Sequence, residues 1–269
     1  MSAGAAASLR RIGAMIERYF YLLKGSWPRV IELAYWPTMQ IVLWGFLSEY
    51  LVHHSSYLAQ ASGVLLAAAL LWDVMFRGQL GVSVVFFEEL YSRNLGHLFA
   101  SPLRAYELAG ALFTISLLRT LVGSGMAALC AYWFYHFPIW EMGVMLAALF
   151  MNLIVMGWSI GLVVAGLVLR YGLGAENLAW AAIFAIAPLS GIYYPISILP
   201  PALQVVAHAL PAAYVFTAMR ALMFHHVILY QSLWKAAAIN LAYLGLGLLV
   251  FLRTFRDARV HGRLLNLGE

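Results

Sequence analysis

Residues 142–169 read MGVMLAALFMNLIVMGWSIGLVVAGLVL, a run without a single Asp, Glu, Lys or Arg. About 20 apolar residues let a helix cross the hydrocarbon core of a bilayer, so this stretch calls for a membrane as its solvent. The whole chain agrees. Of its 269 residues 64% are hydrophobic and 10% charged, against about 25% charged in an ordinary soluble domain. So few charges cannot cover so apolar a body, which excludes a water-soluble globule and an intrinsically disordered chain. The net charge of +5 is accordingly read against membrane topology rather than as a nucleic-acid surface.

Outward from this run, five more crossings are expected. The first covers residues 31–52, with Pro37 in its early turns; the second covers 57–87 and is interrupted by Asp73 and Arg77. The third, 108–135, carries Arg119; the last is 236–252. Residues 177–219 hold no formal charge, are too long for one crossing, and are broken by Pro188, Pro195, Pro200, Pro201 and Pro211. A continuous helix with these prolines would strand backbone groups in lipid at several kcal/mol each. One crossing from 177 to about 194 is therefore expected, then a re-entrant or interfacial helical hairpin over 195–226. Two full crossings there are the rival reading, and would put the termini on opposite sides.

Cation placement decides orientation. Arg10, Arg11, Arg18, Lys24 and Arg29 precede the first span; Arg93 and Arg104 lie between the second and third; Arg170 follows the fourth. With Arg253, Arg256, Arg259 and Arg263 of the tail, twelve of the sixteen Lys and Arg fall on one side. Arg220 and Lys235 fall on the other, and Arg77 and Arg119 lie within spans. Both termini are expected in the cytoplasm.

The N-terminal segment lacks the apolar core of a cleaved signal peptide, and no Gly follows Met1 to accept myristate. Leu9, Ile12, Ile16, Phe20 and Leu23 instead recur at helical spacing, with cations elsewhere on the wheel. Residues 1–29 thus suit a helix in the cytoplasmic interface, its apolar face in the acyl boundary, or a leader that simply enforces topology. The single cysteine, Cys130, gives no disulfide framework.

Between the second and third spans the chain reads FFEELYSRNLGHLFASPLRAYELAGA. After Glu88 and Glu89, the residues Leu95, Leu98 and Phe99 share one helical face, and Ser101-Pro102 suits the start of the next helix. A rigid elbow results, with a small apolar face expected to await a partner. With Glu88, Glu89, Leu95, Gly96, Leu98, Ser101, Pro102, Leu103 and Arg104, this loop resembles the coupling loop of the transmembrane subunit of ABC-2 type exporters. RYGLGAENLAW (170–180) and SGIYYPISILPPALQVVAHALPAAYVFTAMRAL (190–222) resemble the family in the same order.

That resemblance implies a single all-α membrane domain over 1–269: six transmembrane helices, the interfacial helix, a coupling helix within residues 88–104, the outer hairpin, and a cytoplasmic tail at 253–269. It implies a homodimeric, multi-pass permease of the cell inner membrane that exports drugs, lipids or lipid-linked saccharides. ATP and Mg would be bound by a separate ATPase docking at Glu88, Glu89, Leu95, His97, Leu98, Phe99, Ser101, Pro102 and Arg104. The residues themselves agree that the chain is no ATPase: its lysines, Lys24 and Lys235, follow Leu23 and Trp234, so no P-loop is present. No catalytic constellation, cofactor site or nucleic-acid partner is expected. Tyr194, Pro195, Pro200, Pro201 and Pro211 would shape an outer gate.

Buried membrane charges are costly, so Asp73 is expected to neutralise Arg119 or Arg77, as a clamp or as lining of the route. A secondary transporter or channel using Asp73 and Arg119 without an ATPase is the alternative. His53-His54 and His225-His226 lack the spacing of a metal site and suit an interface. Trp44, Trp72 and Trp158 suit packing better than stacking on cargo. Gly157, Gly161, Ala165 and Gly166 permit close helix approach, within or between protomers.

Overall fold

In a computed structural model, residues 3–54, 56–92 and 94–261 are described; the side chains of residues 3, 4, 51–62, Phe99 and Leu173 are not. Arg93, Arg263 and the side chains of His53, His54 and Phe99 thus lie outside the described residues. Regular structure among the described residues is helical: α1 (Ala3–Lys24), α2 (Trp27–His54), α3 (Ser56–Tyr91), α4 (Leu95–Ala100), α5 (Ala105–Tyr135) and α6 (Val144–Tyr171). Then follow α7 (Asn177–Ile186), α8 (Pro201–Ala209), α9 (Pro211–His225) and α10 (Tyr230–Val260). The chain is an all-α, multi-pass membrane protein. We call the end of the bundle bearing α1 and α4 the near end.

Among the described residues α2, α3, α5, α6 and α10 are long and apolar enough to cross a bilayer, and α8 with α9 make a sixth if counted as one bent span. α3 and α6 are the central pair: 78% and 67% of their apolar windows are buried, against 22% for α2 and for α10. Glycine allows their contact. A Cβ on Gly157 would meet the Met75 carbonyl oxygen at 2.6 Å, and one on Gly161 the Gln79 carbonyl oxygen at 2.8 Å. Those small residues therefore serve packing within the chain. On the other side of α6, Asn240 of α10, itself buried, donates to the Asn152 backbone oxygen at 2.8 Å.

The expected crossing from 177 to 194 is not one helix. α7 ends at Ile186 and a 3-10 turn (Ala187–Leu189) holds Pro188, so the helical stretch reaches only about 20 Å, short of the ~30 Å core. Pro201 and Pro211 do not break helices either; they begin α8 and α9, where a missing N–H costs nothing. Leu210, forced extended before Pro211, joins the two at a 94° bend, the geometry of a broken span or of a re-entrant loop.

α1 also departs from expectation. Ile12, Met15, Ile16 and Tyr19 pack onto the near-end core, while Leu9 and Phe20 stay 57% and 64% exposed. Only part of its apolar face is left for lipid, because the protein claims the rest.

Candidate functional site

Two buried carboxylates organise the near end. Glu107, in the first turn of α5, accepts Nε and Nη2 of Arg11 at 2.8 and 2.5 Å and the Ser8 hydroxyl at 2.5 Å. Its Oε2 also accepts the Arg104 backbone N–H at 2.9 Å, capping α5. Glu89, at the end of α3, accepts Arg18 Nη1 at 2.5 Å and Asn94 Nδ2 at 2.7 Å. A buried carboxylate is tolerated only when its lone pairs are met, and here cations from α1 meet them. The Tyr19 hydroxyl adds a bond to the Val85 carbonyl at 3.0 Å; burial, then the Glu89 charge, push its pKa up, so it stays a donor.

This geometry corrects the reading of the elbow. Leu95 and Leu98 are 2% and 8% exposed and belong to the near-end core with Met15, Tyr19 and Phe86, so they present no apolar docking face. Glu89 is committed within the chain. What faces outward is His97, Pro102 and Arg104, with Glu88 and Ser101 half-buried. A Cβ at Gly96 would meet open space. Ser101 does not cap the next helix: its hydroxyl donates to the Leu98 carbonyl at 2.6 Å, closing α4, and α5 begins only at Ala105, three residues after Pro102. The start signal that sequence reading missed is Glu107, whose carboxylate reaches back one turn to the Arg104 backbone N–H.

The loop after α6 lies beside this elbow. The Tyr91 hydroxyl donates to the Glu176 carboxylate, and Arg170 stacks over Tyr171 at 5.5 Å. The backbone at the start of α7 is tied to α3 by Gln79, whose Nε2 donates to the Ala179 carbonyl at 3.2 Å.

Within the bundle, Asp73 Oδ2 accepts Arg77 Nε at 2.7 Å, one turn along α3, and the Ser124 hydroxyl at 3.3 Å. Of the two expected partners Asp73 takes Arg77. Arg119, half-buried on α5, has no hydrogen bond and no carboxylate within 4 Å among the described residues. Asp73, Arg77 and Arg119 all line one cavity of about 550 Å³ between α2, α3, α5 and α7. Its remaining wall is mostly apolar, with Trp36 and Leu43 of α2, Phe76 of α3 and Trp180 of α7.

At the far end, Gly191 turns the chain with φ of +63°, a left-handed conformation that an L side chain resists. Arg220 of α9 donates to the Gly191 carbonyl, Trp44 of α2 stacks on Tyr193 at 4.6 Å, and the Tyr194 hydroxyl donates to the Pro188 carbonyl at 2.6 Å. Sequence reading counted Arg220, within the outer hairpin, only as a non-cytoplasmic cation; it braces the Gly191 turn. Tyr194 is half-buried, Pro195, Pro200 and Pro201 are exposed, and Pro211 is buried at the start of α9. Trp158 stacks on Phe113 at 4.7 Å and Trp72 is buried, so packing occupies both rings. His226 adopts φ of +54° and caps α9, and no three His, Cys, Asp or Glu come together among the described residues.

A search of curated proteins finds no match to the chain. The family model described as ABC-2 type transporter matches residues 11–224, which takes in α2 through α8, all but the last residue of α9, both cytoplasm-assigned loops and the far-end turn. The chain belongs to the ABC-2 type transporter family, as a membrane component of ABC-type transport.

Proposed function

We propose that two copies of this chain form the membrane part of an ATP-driven exporter, with ATP and Mg bound by two copies of a separate cytoplasmic ATPase. The observation that carries this reading is the α4 elbow. Its outer surface offers His97, Pro102 and Arg104, while its inner surface is fused to α1 and to the ends of α3 and α5 through Glu89 and Glu107. A push on such a unit moves whole helices, because nothing in the elbow can yield without stranding a buried carboxylate.

The near end is then cytoplasmic, in keeping with the cations of α1, the two near-end loops and the tail. Strokes at the elbow would tilt α3 and α5 against α2, opening the intramembrane cavity to one side or the other. The Gly191 turn and the α8–α9 elbow would form the outer gate. Cargo is an amphiphile, since the cavity wall is largely apolar yet holds a charge. Purification in mild detergent tests the reading: an ATPase should accompany the chain at one copy each, and its hydrolysis should fall when His97 and Arg104 are both replaced by Ala. A chain that transports on an ion gradient with no ATPase attached would overturn it.

A further inference from the structure

We infer that the cavity between α2, α3, α5 and α7 is a binding site for an amphiphile whose headgroup carries net negative charge, with Arg119 as the anion contact. Arg119 lines the cavity and has no hydrogen-bond or carboxylate partner within 4 Å among the described residues. Its guanidinium stays charged and presents five donors. Arg119 lies about 21 Å along α5 from Ala105, near the middle of that span, where an uncompensated cation is costly and invites an anion.

The other charges of the lining do not serve. Arg77 and Asp73 neutralise each other at 2.7 Å, so neither is left for a ligand. Glu32 stands near the start of α2, is exposed and makes no ion pair with Arg119; its charge and that of Glu88 reach Arg119 only from beyond 4 Å. A cationic amphiphile would find Glu32 at the near-end rim of the cavity, but no carboxylate within 4 Å of Arg119 among the described residues.

The walls select a tail. Trp36, Leu43, Phe76, Leu80 and Trp180 are apolar, and a volume of about 550 Å³ suits a headgroup with the first part of its chains. Trp36 and Leu43 are 63% and 62% exposed, so the α2 side of the cavity borders the lipid and gives a lateral way in. That the occupant is cargo rests on the transport reading; that it binds does not.

Binding of dioctanoyl phosphatidic acid, dioctanoyl phosphatidylcholine and inorganic phosphate to the full-length chain in neutral detergent, with any co-purifying ATPase retained, tests this. Phosphatidic acid should bind at least about tenfold more tightly than phosphatidylcholine, and inorganic phosphate at the same concentration should not displace it. Arg119→Gln should reduce phosphatidic acid to the phosphatidylcholine level, Arg119→Lys should keep most of the preference, and Leu43→Trp should weaken phosphatidic acid with the cation intact. Equal binding of the two lipids, a preference that survives Arg119→Gln, or displacement by inorganic phosphate would overturn the inference. Should Arg119→Gln fail to stay monodisperse, the wild-type ratio and the Leu43→Trp variant decide. A chain that carries its ATPase yet ignores headgroup charge sinks this inference alone; a chain without an ATPase sinks the transport reading and leaves the lipid measurement standing.

Discussion

Arg11 and Glu107 meet through two parallel hydrogen bonds, 2.8 and 2.5 Å, that fasten the N-terminal helix to the first turn of α5 across 96 positions of sequence. The same carboxylate caps α5 through the Arg104 N–H. One side chain therefore sets both where a span begins and where α1 lies. Because the elbow sits between these elements, its rigidity depends on that contact as much as on α4 itself.

Glu107→Gln should loosen α1 without unfolding the spans. Hydrogen exchange over residues 3–24 is expected to quicken by about tenfold or more, while the amides of α6 stay protected. Equal protection of α1 in the variant and the wild type would show that the Arg18–Glu89 pair and the packing of Met15 and Tyr19 hold the helix without Glu107.

Leu98 and His97 are adjacent and should behave oppositely. Leu98→Ala removes a core side chain and is expected to cost about 2–4 kcal/mol, read as a lower unfolding temperature in detergent. His97→Ala should change stability by less than about 0.5 kcal/mol and act instead on coupled ATP hydrolysis. The reverse pattern would mean that α4 is turned over relative to the bundle.

Asp73→Asn leaves Arg77 uncompensated inside the bundle, at a cost of at least about 2.5 kcal/mol. Thermal stability should therefore fall more in this variant than in Arg119→Gln, since Arg119 has no partner to lose among the described residues. Exchange of the two charges, Asp73→Arg with Arg77→Asp, should recover part of the loss; no recovery would contradict a pairing role.

Gly157→Ala places a methyl 2.6 Å from the Met75 carbonyl oxygen, against backbone that cannot swing aside. A loss of about 1–3 kcal/mol is expected, with reduced yield of monodisperse protein. Gly125→Ala, at a position with open space, is the control and should be neutral or slightly stabilising.

Much of this architecture was legible because a membrane simplifies the rules. Charge-poor runs located α2, α3, α5 and α6 to within about four residues and the middle of α10, which runs on at both ends, since few other structures satisfy a backbone in lipid. The proline-rich segment resisted the same logic. Pro201 and Pro211 look like helix breakers in one dimension and are helix starters in three, and α7 is too short to be counted by length. Around the elbow, helical spacing correctly grouped Leu95 with Leu98, but periodicity cannot say whether a face points to a partner or to its own core. Arg11, Arg18 and Glu107 escaped notice because a topology count treats every cation alike, whereas their partners lie 71 to 96 residues away. Arg220 was missed for the same reason.

The most direct test is photo-crosslinking from position 97 in native membranes. A photoreactive residue replacing His97 should capture a cytoplasmic ATPase, with capture changing on addition of ATP; the same probe replacing Leu98 should stay within the chain, and at the exposed far-end Trp140 it should capture no ATPase. An ATPase captured equally from positions 97 and 140, or from neither, would contradict a permease driven through the α4 elbow.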